Sequence, residues 1–143
     1  ESEKNKIEYD LKHTNLKEKI HFVGKVTNPL DYISIFDVFT ILSREEPFGL
    51  VGLEASFFKI PVISFEKVTG FSAFAKDKAG ITVPYLDIQE VEKNIIHLFK
   101  NPTIGKNIGE NAYNKLPAYS IKNKSIEIIN ILDNAIKKSK GQL

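Results

Sequence analysis

The sequence predicts an α/β fold built on a parallel β-sheet that is flanked by helices. Short runs of β-branched and apolar residues alternate with longer segments in which apolar residues recur at helical spacing. The strongest run, Val38 to Leu42, is apolar on both faces, as expected of a strand that is covered on both sides. The chain has 143 residues, of which 42% are hydrophobic and 27% charged, which suits one ordinary domain.

Charge and residue content exclude several classes of protein. The 20 basic and 18 acidic side chains give a net charge of +2, which is too small for a protein that coats nucleic acid. Cysteine is absent, so the chain has neither a disulfide framework nor a thiolate metal site. No apolar run is long enough to span a bilayer and the N-terminus does not read as a secretion signal, so we expect a cytoplasmic protein. Methionine is absent even at the first position, Glu1, so we expect a piece of a longer protein.

The first half of the chain predicts two strands and three helices. In order, these are an exposed helix around Ile7 and Leu11, a strand over 20–23 that Gly24 closes, a short helix opened by Asn28 and Pro29, the strand over 38–42, and a helix over 49–58. Asparagine before proline is typical of a helix start, because Asn caps the first turn and Pro fits its first position.

The second half predicts two further strands and three further helices. These are strands over 61–65 and 81–83, a helix capped by Asp87 with Glu90 three residues later, a helix that starts at Asn101-Pro102, and a final helix from near Ser120. The capped helix is predicted to carry an apolar stripe of Ile88, Val91, Ile95, Leu98 and Phe99, and the final helix one of Ile121, Ile128, Leu132 and Ile136. We expect a flexible, solvent-facing turn at Gly105 and Gly109. Residues 1–118 then form the main domain, and residues 119–143 a C-terminal amphipathic helix and tail.

Ligands of parallel sheets bind at the carboxyl ends of the strands, which directs attention to the segment that follows Val38 to Leu42. Within that segment, Glu54 has only apolar residues three and four positions away in a helix: Leu50, Val51, Phe57 and Phe58. A carboxylate in such company either reaches water at an edge or has a functional or hydrogen-bonding partner. Both alternatives stay open at this stage.

Small residues recur every third position in the same segment, at Gly49, Gly52 and Ala55. Such a bare helix face packs closely against a neighbouring strand, or it lets backbone amides approach a phosphate group. The two interpretations are compatible. Glu46, in the loop just before the helix, could reach into the same space.

This segment resembles the C-terminal, nucleotide-sugar-binding half of family 4 glycosyltransferases, which have the GT-B fold. Their Glu-x7-Glu signature is matched by Glu46 and Glu54, and the Phe-Gly-Leu-Val inside it by Phe48 to Val51. Further matches lie in the expected order at 22–24, 36–43, 59–63, 79–80 and 83–84. The resemblance extends from about Ile7 to near Leu116, and it implies a Rossmann-like sheet whose first strand is absent from this chain.

The resemblance implies a role for each matched residue. Glu54 would accept hydrogen bonds from the ribose hydroxyls of the donor, and Glu46, in the catalytic position, would contact the transferred sugar. The remaining donor-binding positions are Phe48, Gly49, Leu50 and Val51 beside the sugar and diphosphate, and Gly24, Lys25 and Val26 near the base. Such enzymes transfer a sugar with retention of configuration from a nucleotide-sugar, here UDP- or GDP-linked, usually without a metal, and no Asp-x-Asp motif occurs here. The acceptor would be a glycan or a lipid bound through an N-terminal domain that this chain lacks, so we expect the isolated chain to be inactive.

The chain departs from the family pattern at several positions. Lys59 stands where the family has glycine, and Ala73 stands where it often has glutamate, so residues 70–73 are given no site role. The family's diphosphate-neutralising Arg/Lys pair would precede this chain. Arg44 and Lys67 are candidates for that role by position, although solvated surface charge is the favoured interpretation of both.

Two alternatives stand beside this interpretation. The chain could be a natural donor-binding subunit of a split glycosyltransferase that needs a partner chain. A signalling domain with a similar sheet is disfavoured, because Asp37 lies at a strand start rather than a strand end.

The tail carries six lysines, at positions 115, 122, 124, 137, 138 and 140. The favoured interpretation is an amphipathic helix that packs on its own domain or on the absent domain. The alternative is peripheral contact with the inner membrane face.

Overall fold

Three parallel strands form the sheet at the centre of the molecule, whose computed structural model describes residues 2–140. The strands are β1 (Phe39–Ile41), β2 (Val62–Phe65) and β3 (Ile81–Val83), in the order β1-β2-β3. In register, Thr40 lies opposite Ile63, and Ser64 lies opposite Thr82. The parallel α/β class predicted from the sequence is therefore confirmed, and each strand lies inside a run that predicted it. Glu1 and residues 141–143 lie outside the described residues.

Helices connect and flank the strands. They are α1 (Ser2–Lys12), α2 (Pro29–Ile33), α3 (Leu50–Phe57), α4 (Phe71–Phe74), α5 (Ile88–Lys100), α6 (Pro102–Lys115) and α7 (Ile121–Lys140), with 3-10 turns at Lys17–Lys19 and Leu116–Tyr119. The predicted starts are found where expected: α2 begins at Pro29, and the Glu90 N–H donates to the Asp87 carboxylate at 2.9 Å at the start of α5. None of the helices in residues 2–140 is both long enough and apolar enough to cross a membrane.

The core is divided between the two faces of β2, because successive side chains of a strand point to opposite sides. One cluster contains Val62 together with the small and aromatic residues of α3 and α4. The other contains Ile63 and Phe65 together with residues of β3, α5 and α6. All four residues of β2 are buried, which is why this short strand has no polar alternation in its sequence beyond a single serine.

The strand predicted over 20–23 is wrong. The backbone at Ile20 is extended, with φ −115° and ψ 120°, but residues 20–23 belong to no strand of the sheet in the described part of the chain. Val23 is half exposed there. An apolar run predicts an extended conformation, whereas a strand also needs a hydrogen-bonding neighbour, and the sequence of the run does not supply one.

The predicted stripe of α5 is correct at two positions and wrong at three. Val91 and Leu98 are buried, whereas Ile88, Ile95 and Phe99 are exposed, Phe99 to 86%. Only one narrow row of α5 contacts the second core cluster, and periodicity does not reveal how wide the covered stripe is.

Gly105 and Gly109 do not form a solvent-facing turn, so that prediction is wrong. Both lie inside α6 and both are buried. A Cβ atom on Gly109 would overlap the carbonyl oxygen of Lys59, at the end of α3. The glycines allow α6 to lie directly against the backbone that leads into β2.

The apolar stripe predicted for α7 stays uncovered by the described residues. Ile121, Ile128, Leu132 and Ile136 are all more than half exposed. The helix packs against the preceding turn, where Lys124 Nζ lies 4.8 Å from the centre of the Tyr119 ring. Within residues 2–140, packing of this face on the helix's own domain is therefore not observed.

Candidate functional site

A cleft of about 960 Å³ opens at the carboxyl ends of the strands, where the sequence placed the site. It is lined by residues from the loop after β1, the loop after β2 and the segment after β3: Arg44, Glu45, Glu46, Pro47, Lys67, Val68, Thr69, Gly70, Ser72 and Tyr85. A second cavity of about 830 Å³ lies at the opposite, amino ends of the strands, and none of the predicted site residues lines it. Charged and hydroxyl side chains of both loops meet in the first cleft, which is therefore the candidate site.

Glu46 lines this cleft and is half-buried. Its backbone forms a parallel bridge with Thr69, so the loop after β1 stays paired with the loop after β2 beyond the ends of the strands. Its side-chain Oε1 accepts a hydrogen bond of 3.2 Å from the backbone N–H of Gly49. One carboxylate oxygen is thus held by the protein, and no partner occupies the other in the described residues.

Gly49 precedes the first residue of α3 and has a φ of +79°, a left-handed conformation that favours glycine. The small residues that follow it face the core. A Cβ atom on Gly52 would overlap the ring of Phe71, and Ala55 is completely buried. Of the two compatible interpretations of this bare face, close packing is observed at Gly52 and Ala55. Only the first turn, at Gly49, remains near the loop that carries Glu46.

Glu54 lies in the last half of α3 and is half-buried. Its side chain has no hydrogen bond or ion pair with any residue of 2–140. It is not among the residues that line the cleft. The structure therefore gives Glu54 partial contact with water and no hydrogen-bonding partner in residues 2–140, as the first alternative expects.

The other signature residues lie around the start of α3. The ring of Phe48 packs 6.0 Å from that of Tyr119, which also contacts Phe74 at 5.0 Å. Leu50 and Val51 are exposed in the first turn. Tyr119, the first residue of the predicted tail, thus packs against Phe48 of the signature segment.

Gly24, Lys25 and Val26 lie in the connection between the first 3-10 turn and α2. Gly24 has a φ of +70°, and a Cβ atom there would meet nothing within 4 Å. None of the three lines the cleft, so the structure does not bring them together with Glu46.

Several residues of the cleft were missed or set aside by sequence reasoning. Arg44 and Lys67 both line it, as do Gly70 and Ser72 from the segment that was given no site role. Thr69 also lines the cleft, and no motif in the sequence marks it. The available indication was its place just after β2, because the loops after neighbouring parallel strands meet at the same edge of the sheet.

Residues 2–140 contain no group of three or more histidine or acidic side chains arranged to hold a metal ion. The chemistry that the cleft offers comes from carboxylates, hydroxyls, two cations and backbone amides. This set suits recognition of a ligand that carries several hydroxyl groups.

Comparison with curated proteins finds two bacterial relatives. Poly(ribitol-phosphate) alpha-N-acetylglucosaminyltransferase of Staphylococcus aureus (strain COL) is 28% identical over 134 residues, which cover 90% of this chain and 27% of the relative. N-acetyl-alpha-D-glucosaminyl L-malate synthase of Bacillus anthracis is 29% identical over 103 residues, which cover 71% of this chain and 27% of the relative. The chain spans about a quarter of the length of the curated relatives it matches.

Solved structures share the fold. Anabaena Alr3699/HepE in complex with UDP superposes with a TM-score of 0.80 at 19% identity, covering 91% of this chain and 36% of that one. Its complex with UDP-glucose gives a TM-score of 0.79. These similarities confirm the expected fold class, a Rossmann-like parallel sheet of the GT-B type. The family model described as "Glycosyl transferases group 1" matches residues 1–115, and the chain therefore belongs to that family of glycosyltransferases.

Proposed function

We propose that this chain is the donor-binding part of a retaining glycosyltransferase of family 4, which transfers a sugar from a UDP- or GDP-linked donor to a glycan or lipid acceptor. The observation that carries the proposal is the position of Glu46. It is the first glutamate of the two-glutamate signature, it lines the cleft at the carboxyl ends of the strands, and one of its carboxylate oxygens is already fixed by Gly49. A fixed carboxylate with a second oxygen available is suited to accept a sugar hydroxyl.

Glu54 supplies the second part of the proposal. Its carboxylate is half-buried and has no partner in residues 2–140, so it can accept two ribose hydroxyls without first breaking a protein contact. The first-turn amides of α3, at Leu50 and Val51, precede the first intrahelical bonds and are available to oxygen atoms of the sugar and diphosphate. Gly24, Lys25 and Val26 form the proposed contact with the base.

The relatives support the choice of ligands to test. HepE has been solved with UDP and with UDP-glucose, and the names of both curated relatives contain an N-acetylglucosaminyl group. We therefore choose UDP, UDP-glucose and UDP-N-acetylglucosamine as probes, and we add GDP and GDP-mannose because the proposed donor is UDP- or GDP-linked. Binding, rather than transfer, is the property to measure.

The ribose assignment is tested by calorimetric titration of the five probes into the full chain and into Glu54→Ala. We expect the wild-type chain to bind at least one nucleoside diphosphate, and Glu54→Ala to weaken that binding about 10- to 100-fold, since hydrogen bonds to a charged group contribute about 1.5–3 kcal/mol. Glu92→Ala, which removes an exposed glutamate from α5, is the matched control and should not change the affinity.

The 2′-deoxy form of the same nucleotide sharpens this test. The wild-type chain should bind the 2′-deoxynucleotide more weakly than the ribonucleotide. Glu54→Ala should bind the two nucleotides with equal affinity, because the hydroxyl and the carboxylate belong to one interaction. Equal affinities of wild type and Glu54→Ala for the ribonucleotide would disprove the ribose assignment, and absence of any nucleotide binding would disprove the proposed function.

Glu46 is tested through the sugar rather than the nucleotide. In Glu46→Gln, we expect the affinity for the nucleoside diphosphate to be retained and the additional affinity for the corresponding nucleotide-sugar to fall about tenfold, because a neutral amide is a weaker acceptor than a carboxylate. A variant that keeps the wild-type ratio of the two affinities would show that Glu46 does not contact the sugar.

A further inference from the structure

The loops that follow β1 and β2 are joined side by side at the cleft. Three backbone hydrogen bonds connect them: Glu46 N–H to Val68 C=O at 3.3 Å, Gly70 N–H to Pro47 C=O at 3.2 Å, and Phe71 N–H to Phe48 C=O at 2.7 Å. The loop with Glu46 is therefore not a free surface loop. Its shape depends on the neighbouring segment, 68–71.

Thr69 is the side chain at the centre of this junction. Its hydroxyl donates to the carbonyl oxygen of Phe48 at 2.8 Å and accepts from the backbone N–H of Phe71 at 3.1 Å. The residue is only 6% exposed, and a Cβ atom on Gly49 would lie 3.2 Å from the hydroxyl oxygen. The Thr69 side chain thus packs against the peptide unit that links Phe48 to Gly49.

The same peptide unit also donates a hydrogen bond to the side chain of Glu46. The Phe48 C=O and the Gly49 N–H belong to one planar peptide group, so fixing the direction of the carbonyl also fixes the direction of the N–H. That N–H donates to Glu46 Oε1 at 3.2 Å. The Phe48 carbonyl accepts from the Thr69 hydroxyl at 2.8 Å and from the Phe71 N–H at 2.7 Å, and the Thr69 hydroxyl is the side-chain donor of the two. The Thr69 hydroxyl therefore helps to orient the Glu46 carboxylate through a single rigid plane.

We propose that Thr69 is a positioning residue for Glu46, and that it selects the carboxylate orientation in which the glutamate accepts a sugar hydroxyl of the donor. This proposal rests on the proposed function for the role of Glu46 as a sugar contact. The junction itself is independent of that function. A hydroxyl is required at position 69, whereas the methyl group is not.

Thr69→Val removes the hydroxyl at nearly constant shape, and Thr69→Ser keeps the hydroxyl. With the nucleoside diphosphate and nucleotide-sugar that the wild-type chain binds among the five probes, we expect Thr69→Val to lower the ratio of nucleotide-sugar to nucleotide affinity about fivefold, in line with one lost hydrogen bond. Thr69→Ser should retain the wild-type ratio of the two affinities. Thr82→Val, at an exposed threonine of β3, is the matched control and should leave it unchanged.

A second measurement does not depend on any ligand. The amide signal of Gly49 in a ¹⁵N–¹H NMR spectrum reports the hydrogen bond to Glu46, and Glu46→Ala, which removes the acceptor, identifies the shift that follows its loss. We expect Thr69→Val to move this signal in the same direction and Thr69→Ser to leave it near the wild-type position.

The outcomes separate the two proposals. If no probe binds the wild-type chain, the proposed function fails, and the Gly49 signal still decides whether Thr69 orients Glu46. If the probes bind and Thr69→Val keeps both the wild-type affinity ratio and the wild-type Gly49 signal, the positioning role is overturned. If Thr69→Val does not fold, failure of Thr69→Ser to retain the wild-type ratio overturns it instead.

Discussion

Ser64 is a serine at the buried centre of β2, and its hydroxyl is the one buried side-chain polar atom without a hydrogen-bond partner in residues 2–140. An unsatisfied buried hydroxyl opposes folding by about 1–3 kcal/mol. We expect Ser64→Ala to raise the free energy of unfolding by up to about 1 kcal/mol, since the small cavity offsets part of the gain. Urea denaturation followed by circular dichroism measures it.

Ser56 provides the matched control. It is equally buried, but its hydroxyl donates to the carbonyl oxygen of Gly52 at 2.7 Å. We expect Ser56→Ala to be less favourable than Ser64→Ala by about 1 kcal/mol, the net contribution of one hydrogen bond. Identical effects of the two substitutions would mean that the Ser64 hydroxyl has a partner in solution.

Lys59 shows why a departure from the family pattern can be tolerated. It has a φ of +59° and follows α3, where Ile60 N–H donates to Ala55 C=O and Lys59 N–H to Ser56 C=O, the two bonds of a Schellman ending. Glycine is favoured at this position for its backbone. The lysine side chain compensates in part through Glu110, at 2.9 Å, and through the ring of Tyr113, at 5.1 Å.

At the scale of elements, the contact between α6 and the end of α3 depends on Gly109. A Cβ atom there would overlap the Lys59 carbonyl oxygen, which is backbone and cannot rotate away. We expect Gly109→Ala to lower the free energy of unfolding by about 2–3 kcal/mol through overpacking. Thermal or urea unfolding of the variant measures this loss.

Gly105 is the control in the same helix. A Cβ atom there would make ordinary contacts, 3.5 Å from Pro61 and 3.7 Å from Leu98. Because alanine is the better helix former, we expect Gly105→Ala to raise the free energy of unfolding by about 0.5–1 kcal/mol. A Gly109→Ala protein as stable as Gly105→Ala would contradict the close packing of α6 on the Lys59 carbonyl.

At the scale of the whole molecule, the core ends before α7. Ile108 in α6 is 8% exposed and belongs to the second core cluster, whereas Ile128 in α7 is 57% exposed. We expect Ile108→Ala to lower the free energy of unfolding by about 3 kcal/mol and Ile128→Ala to change it by less than about 0.5 kcal/mol. Both can be measured by urea denaturation of the full chain.

Sedimentation of the same two variants shows whether α7 acquires a partner in solution. If Ile128→Ala destabilises the chain as much as Ile108→Ala, its apolar face is covered in solution. A sedimentation coefficient that rises with concentration, or that matches a dimer throughout, would then assign the cover to a second copy, and a constant coefficient that matches a monomer would assign it to the same chain.

The sequence by itself determined the parallel α/β class, all three strands, the start of α5 at Asp87 and the location of the candidate site after β1. These follow from local causes: apolar runs, capping residues and the rule that ligands of parallel sheets bind at the carboxyl ends of the strands. Glu46 and Glu54 could be predicted as site residues because the signature lies within a short segment of the chain; the structure places Glu46 in the cleft, whereas Glu54 is not among the residues that line it.

Only the tertiary structure decided which of the predicted segments pair with a neighbouring strand and which apolar faces are buried by a neighbouring element. The run over 20–23 stays outside the sheet, Gly109 is buried, and much of the apolar surface of α5 and α7 is exposed, because pairing and burial depend on what lies opposite. The link from Thr69 to Glu46 is of the same kind. It joins residues 23 positions apart through one peptide plane, and no periodicity in the sequence records such a contact.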